Sequence, residues 1–344
     1  LPRTIVISDL HIGGRGGGCV LERPEPLGKL LEAVRGADRL VLLGDTVELR
    51  DAHPEQAMAT AVPILTALGA ATEEVVVVPG NHDRLLVRDW IRRRGDHLGL
   101  EDEVPPDASP HLERLTRALG NAGAQVTVRY PGVELAPGVW ATHGHYLDRH
   151  LWPVSPYGLV RGGRAAWRTS RRSPPARAGA RPVDYERAGW MGLGPVVRWL
   201  PAPGLTLVED AAELLRAATM PRIHPGISPV TAALLGLQMR RHSLPALAQV
   251  LARLGIGHEH VVFGHVHRRG PLPGDRLADW RGPSGTPRLV NCGCWRYEPL
   301  LLHHAHPTHP YWPGGAVLLE DGGPPRAVGL LDHLTDDHIR IWAR

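Results

Sequence analysis

The chain is punctuated by short apolar runs, rich in β-branched residues and leucine, that each stop at a polar side chain. Thr4–Ser8 (TIVIS) ends at Asp9, Leu40–Leu43 (LVLL) at Gly44-Asp45, and Val75–Val78 at Pro79-Gly80-Asn81-His82-Asp83. Runs of this length, bounded by Gly, Pro and Asp, predict buried strands. Between the first two, Leu27, Leu30, Leu31 and Val34 recur at helical spacing behind Pro26, and Gly36 stops them. A second helix is predicted from Pro54 to Leu68. Strand, helix, strand, helix, strand is the order of an α/β protein with a largely parallel sheet.

Further on, Val126–Tyr130 and Val139–Thr142 read as strands, the second running into His143-Gly144-His145. Strands return at Val261–Phe263, before Gly264-His265-Val266-His267, and at Arg288–Val290. Ala316–Leu319 and Ala327–Leu331 pair as a hairpin across Gly322-Gly323. The stretch 150–255 shows no strand pattern, only helical periodicity at Leu207–Ala218, Val230–Met239 and Leu244–Leu254. No internal repeat is present. The pattern therefore predicts a sheet domain formed by 1–149 and 256–344, interrupted by a helical, Arg/Trp-rich insertion over 150–255.

Composition sharpens this outline. With 344 residues, 43% of them hydrophobic, the chain can bury a sizeable core, and its 40 glycines and 33 prolines make it loop-rich. No apolar run approaches the ~18–20 residues of a membrane span. The chain passes from Leu1-Pro2-Arg3 straight into a strand, so the expectation is a soluble, cytoplasmic protein without a signal peptide. Three cysteines (Cys19, Cys292, Cys294) make no disulfide framework. The net charge of +4 is uneven: residues 151–200 carry nine arginines against Asp184 and Glu186, leaving the rest of the chain at −3. Such a block suits an anionic partner, or simply a solvated surface.

Five strand ends thus deliver Asp9, His11, Asp45, Asn81, His82, Asp83, His143, His145, His265 and His267. In open α/β sheets the functional crevice lies beyond the carboxyl ends of the strands, so these side chains are expected along one edge. Asp9, His11, Asp45, Asn81, His143, His265 and His267 offer more ligands than one cation can use, but enough for two that share Asp45. Imidazole with carboxylate and amide oxygen suits Mn, Fe, Zn or Co. The lack of cysteine in the set argues against a closed structural zinc site. Two such ions ~3.5–4 Å apart form a clamp for in-line displacement at phosphorus.

The motif order Asp9-Leu10-His11, Gly44-Asp45, Gly80-Asn81-His82-Asp83, Thr142-His143-Gly144-His145 and Gly264-His265-Val266-His267 strongly resembles the calcineurin-like metallophosphoesterase superfamily. The resemblance implies a four-layer α/β/β/α sandwich with the helical insertion as a cap. It implies two divalent transition-metal ions, Mn2+ foremost with Fe, Zn or Co as alternatives. Asp9, His11, Asp45 and His267 would hold one, and Asp45, Asn81, His143 and His265 the other. It implies phosphodiester or pyrophosphate hydrolysis by a hydroxide bridging the metals, with His82 as the non-ligand imidazole and Asp83 orienting it. Glu48, three residues after Asp45, is similar to the subgroup of UDP-2,3-diacylglucosamine hydrolases, which also carries a helical lid. His82 and His145 depart from that subgroup, which generally has Arg and an acidic residue there.

The anionic substrate expected is a phosphate-containing small molecule, nucleotide- or lipid-linked, with peripheral membrane contact left open and nucleic acid less favoured. His145, Arg149, Arg161, Arg164 and Arg168 are candidates to grip it, interleaved with Trp152, Tyr157 and Trp167. The alternatives are a nuclease or cyclic-nucleotide phosphodiesterase on the same metals, and a non-catalytic scaffold. Cys292-Gly293-Cys294-Trp295 reads as a structural turn. His303, His304, His306 and His309 read as an exposed loop, with metal binding or a substrate-side role as the other readings.

Overall fold

The computed structural model describes residues 3–14, 18–150, 179–187, 236, 239–298, 302, 305–320 and 322–339. Its strands are β1 (Thr4–Ile7), β2 (Arg39–Leu43), β3 (Glu74–Val78), β4 (Glu101–Glu103), β5 (Gln125–Ala136), β6 (Val139–Thr142), β7 (His260–Phe263), β8 (Arg288–Asn291), β9 (Gly315–Leu319) and β10 (Arg326–Gly329). They hydrogen-bond in the order β10-β9-β1-β2-β3-β5-β6-β7-β8, with β4 on the side of β5. Strand β5 belongs to two layers. Its first half pairs in parallel with β3 through Val126–Val128, and its second half pairs antiparallel with β6 from Gly132 onward. A bend at Pro131-Gly132 turns one layer onto the other, and Gly132 is needed there because a Cβ would stand 2.2 Å from the Trp140 ring.

The faces follow from the two-residue period of a strand. Val6, Val41, Leu43, Val76 and Val78 from the first layer meet Val139, Ala141, Val262 and Val290 from the second in one apolar cluster between the layers. Their neighbours Ile5, Ile7, Leu40, Leu42, Val75 and Val77 face outward onto helices α1 (Pro24–Arg35), α2 (Pro54–Gly69) and α4 (Pro110–Gly120). Trp140, Val261, Phe263 and Leu289 face the other way, onto Leu244, Leu247, Val250 and Leu251 of α6 (Leu244–Leu254). The result is the expected α/β/β/α sandwich.

Helices α1, α2 and α4 each begin with proline, whose missing N–H costs nothing in the first turn. Ser109 caps α4 by accepting from Leu112 N at 3.1 Å. The predicted strands and the hairpin are present, each within a few residues of its expected bounds except β5, which runs on to Ala136. Helices α3 (Arg88–Arg94) and α4 had no place in the expectation, nor had those at Pro182–Arg187 and Asp336–Ile339. Of the stretch 150–255, α5 (Pro182–Arg187) and α6 are described. The helix expected at Leu207–Ala218, and nearly all of that expected at Val230–Met239, fall outside the described residues. Among the described residues no helix is long and apolar enough to cross a membrane.

Candidate metal centre

The loops after β1, β2, β3, β6 and β7 converge at one edge of the sandwich. Backbone bonds tie them together: Asp9 N donates to the Gly44 carbonyl at 3.1 Å, His11 N to Asp45 O at 2.8 Å, and Gly264 N to His143 O at 3.1 Å. Among the described residues, five that are not glycine have left-handed backbones, and all five are predicted ligands: Asp9, His11, Asp45, His265 and His267. Such conformations are unfavourable for residues with a Cβ and persist where the surroundings over-determine them, typically at functional sites. Close approach demands glycine as well. A Cβ on Gly264 would lie 1.9 Å from Ser8 Oγ and 2.6 Å from Asp9 Oδ2, and one on Gly80 would lie 2.3 Å from Asp45 Oδ1.

Each buried carboxylate is split between a held oxygen and a presented one. Asp9 Oδ2 accepts from Ser8 Oγ at 2.5 Å and from His265 N at 2.8 Å, whereas Asp9 Oδ1 is buried without a hydrogen-bond partner. Asp45 Oδ1 accepts from His82 N at 2.8 Å. Asp45 Oδ2 faces His143 Nε2 at 3.2 Å and His11 Nε2 at 3.8 Å.

The histidines are split in the same manner. His143 Nδ1 meets the Leu43 carbonyl at 3.0 Å, and a carbonyl only accepts, so Nδ1 carries hydrogen and Nε2 is turned to Asp45 Oδ2 and to Asn81 Oδ1 at 3.1 Å. His11 Nδ1 donates to Glu48 Oε2 at 2.9 Å. His11 Nε2 is thereby turned toward His267 Nε2 at 3.2 Å and Asp9 Oδ1 at 4.0 Å. His267 Nε2 stands 3.2 Å from Asp9 Oδ1.

Two sets of lone-pair atoms therefore crowd together, with Asp45 Oδ2 between them. Crowding of this kind in a buried site calls for a positive charge among the atoms. In the protein alone a proton supplies it. Burial opposes ionisation of His143, but the Asp45 and Asp9 carboxylates push its pKa up to about 10. Burial likewise opposes the charge on Asp9, yet His143 and His267 bring its pKa down to about 2. The same atoms include groups that could hold a metal ion. Asp9, His11 and His267 form one group with ligand atoms within 4.8 Å of one another, and Asp45, His143 and His265 form another.

A third group, His11, Glu48 and His82, has a different explanation. Glu48 is buried and its oxygens are filled by donors: His11 Nδ1, His82 Nδ1 at 2.8 and 2.9 Å, and the amides of Arg50 and Asp51 at 3.2 and 3.0 Å. Burial opposes its charge, but the hydrogen bonds from His11 and His82 hold its pKa well below the usual carboxylate range. Glu48 is a brace for two imidazoles.

Asp83 differs from expectation. It does not reach His82. Its two oxygens accept from Thr46 N at 2.7 Å and Gly80 N at 2.5 Å, locking the loops after β2 and β3 together, and the carboxylate on His82 is that of Glu48. His145 is buried beneath His143, its ring 5.4 Å away, with Nε2 3.4 Å from the Tyr130 hydroxyl. Arg149 donates to the Tyr185 carbonyl at 3.4 Å. Arg161, Arg164 and Arg168 lie outside the described residues, as do His303 and His304. His306 is exposed, and buried His309 accepts from Tyr311 N at 3.2 Å.

The turn after β8 is structural. Asn291 Nδ2 donates to Gly264 O at 2.7 Å, Asn291 Oδ1 accepts from Gly293 N at 2.8 Å, and Trp295 N donates to Asp9 O at 3.0 Å. All three cysteines are buried, and burial pushes the Cys294 thiol up to about 12. Residues outside the sequence expectation also serve the centre. Ser8 holds Asp9, and Asp148 meets His265 Nε2 at 2.8 Å. Ser8 has a readable position, the last residue before a predicted ligand at a strand end. Asp148 has no motif to mark it.

The family model described as calcineurin-like phosphoesterase matches residues 2–269. No curated protein matches the chain.

Proposed function

The chain belongs to the calcineurin-like phosphoesterase family, a family of phosphoester hydrolases using divalent metal ions, and on that premise we propose a two-metal centre that cleaves a phosphodiester or pyrophosphate bond. Asp9, His11, Asp45 and His267 would hold one cation, and Asp45, Asn81, His143 and His265 the other. The observation that carries this reading is the orphaned, buried Asp9 Oδ1 facing two imidazole nitrogens, with Asp45 Oδ2 reaching toward both groups. When bound, paired divalent ions neutralise phosphoryl oxygens and make water a nucleophile near neutral pH. Manganese is the first choice for a mixed imidazole, carboxylate and amide set.

The protein's own part centres on His82. Its Nδ1–H is committed to Glu48, so Nε2 is the nitrogen able to exchange a proton with substrate. Burial disfavours the imidazolium, but the Asp45 carboxylate and the Glu48 hydrogen bond outweigh it and raise the pKa above the ordinary histidine value. Held through Nδ1 by Glu48, a protonated His82 is placed to give its Nε2 proton to the departing oxygen. Asp83 keeps the loops of Asp45 and Asn81 in register, and Glu48 keeps His11 and His82 in their tautomers.

Removing the Glu48 charge tests this pairing. Glu48→Gln lowers the His82 pKa, so the protonated form is lost at a lower pH. The alkaline limb of the kcat/KM profile is expected to move to lower pH. An unmoved limb would refute His82 as the titrating acid.

The substrate reading is tested with full-length protein loaded with Mn2+, assayed on a nucleotide-sugar lipid, a dinucleotide, a cyclic nucleotide, single-stranded DNA and a phosphomonoester. Hydrolysis of the first two, the nucleotide-linked pyrophosphates and diesters, is the expected result. Turnover confined to DNA, with a steep salt dependence, would make the protein a nuclease. Turnover confined to the monoester would overturn the bond type.

A further inference from the structure

The outer nitrogen of His265 has a hydrogen-bond acceptor, as those of His11 and His143 do. Nε2 meets Asp148 Oδ1 at 2.8 Å, while the backbone N–H of the same residue donates to Asp9 Oδ2. An ionised carboxylate only accepts, so the ring hydrogen sits on Nε2 and the lone pair on Nδ1. Asp148 lies in the 3₁₀ turn His145–Arg149, which follows His143 through the left-handed Gly144. Helix α5 grips that turn. Tyr146 donates its hydroxyl to Glu186 Oε1 at 2.9 Å and stacks on Tyr185 with ring centroids 4.8 Å apart. Glu186 is itself buried, receiving Arg84 at 2.7 and 3.0 Å and the Tyr130 hydroxyl. One path thus runs from Glu186 through Tyr146 and the turn to Asp148 and His265.

We propose that Asp148 and Glu186 are positioning residues for the Asp45–His143–His265 half of the centre. Asp148 fixes His265 so that Nδ1 is the cation-binding atom, and Glu186 anchors the turn that carries Asp148. The inference rests on reading that half as a cation site. Histidines that bind metals nearly always donate their other ring N–H to a carboxylate or carbonyl, and loss of that partner weakens metal affinity roughly 10- to 100-fold. His143 on the Leu43 carbonyl and His11 on Glu48 follow the same rule within this centre.

The test is calorimetric titration of the full chain with Mn2+, comparing wild type with Asp148→Ala, Asp148→Asn and Glu186→Gln. Wild type is expected to show two binding events. Asp148→Ala should weaken one of them roughly 10- to 100-fold and spare the other. Asp148→Asn, whose amide oxygen still accepts, should recover most of the loss, and Glu186→Gln should weaken the same event by a smaller factor. In the Co2+-loaded protein, a hyperfine-shifted exchangeable N–H proton of His265 should be present in wild type and absent in Asp148→Ala. Wild-type affinity at both sites in Asp148→Ala, or equal loss at both, would overturn the inference while leaving the metal centre intact. Two events missing from wild type would remove the centre and this inference with it.

Discussion

Replacing Asp45 by Asn is expected to abolish hydrolysis of bis-p-nitrophenyl phosphate at saturating Mn2+, with a loss of roughly 10³-fold or more, since metal stabilisation of transition-state charge contributes several kcal/mol. Asp45 Oδ2 is the atom common to both lone-pair groups, 3.2 Å from His143 Nε2 and 3.8 Å from His11 Nε2. Asn can still accept the His82 amide through its carbonyl, but then its NH2 points toward the imidazole nitrogens that the proposed cations would share. The metal content by elemental analysis should fall from two ions per chain, while the circular dichroism spectrum should stay unchanged. A variant with activity within tenfold of wild type would end the shared-ligand reading.

His82→Ala is expected to lower kcat by roughly 10²- to 10⁴-fold for an ester with an alkyl leaving group, the usual contribution of a positioned acid. The loss should be much smaller for a p-nitrophenyl ester, because p-nitrophenolate departs without a proton. Metal content should be unaffected, since His82 belongs to neither the Asp9–His11–His267 group nor the Asp45–His143–His265 group. Equal losses for both leaving groups would reassign His82 from proton donor to simple electrostatic support.

Much of this centre can be read from the sequence because each strand is a short apolar run with an abrupt polar end, and parallel strands bring their carboxyl ends to one edge. Asp9, Asp45, Asn81, His143 and His265 are legible on that ground alone. The facing of the strands is not. VVVV and LVLL are buried on both sides, so the two-residue alternation that separates the middle of the sandwich from its helical flanks leaves no polar trace. The strand-end reading also leaves 84–124 unassigned, although Ser109-Pro110 followed by Leu112, Leu115 and Leu119 is a capped helical pattern.

The braces are harder still. Asp83 stands beside His82 in the sequence, which suggests partnership, but the turn aims its carboxylate back at the Thr46 and Gly80 amides. Glu48 reaches His82 from 34 positions away and Glu186 reaches Arg84 from 102, so only the folded chain reveals them. A motif identifies side chains that meet a ligand because their types and spacing are constrained by it. It identifies poorly the side chains that hold them, since a carboxylate from any neighbouring loop can serve.

The three sealed thiols make the molecule its own reporter. Cys19, Cys292 and Cys294 have essentially no exposed surface, and two of them flank the turn whose Trp295 amide bonds Asp9. A colourimetric thiol reagent can reach them only when this region opens, so its rate of colour development measures the frequency of that opening. Slower labelling on adding Mn2+ would then follow occupancy of the neighbouring carboxylates in real time, without a substrate or an engineered label.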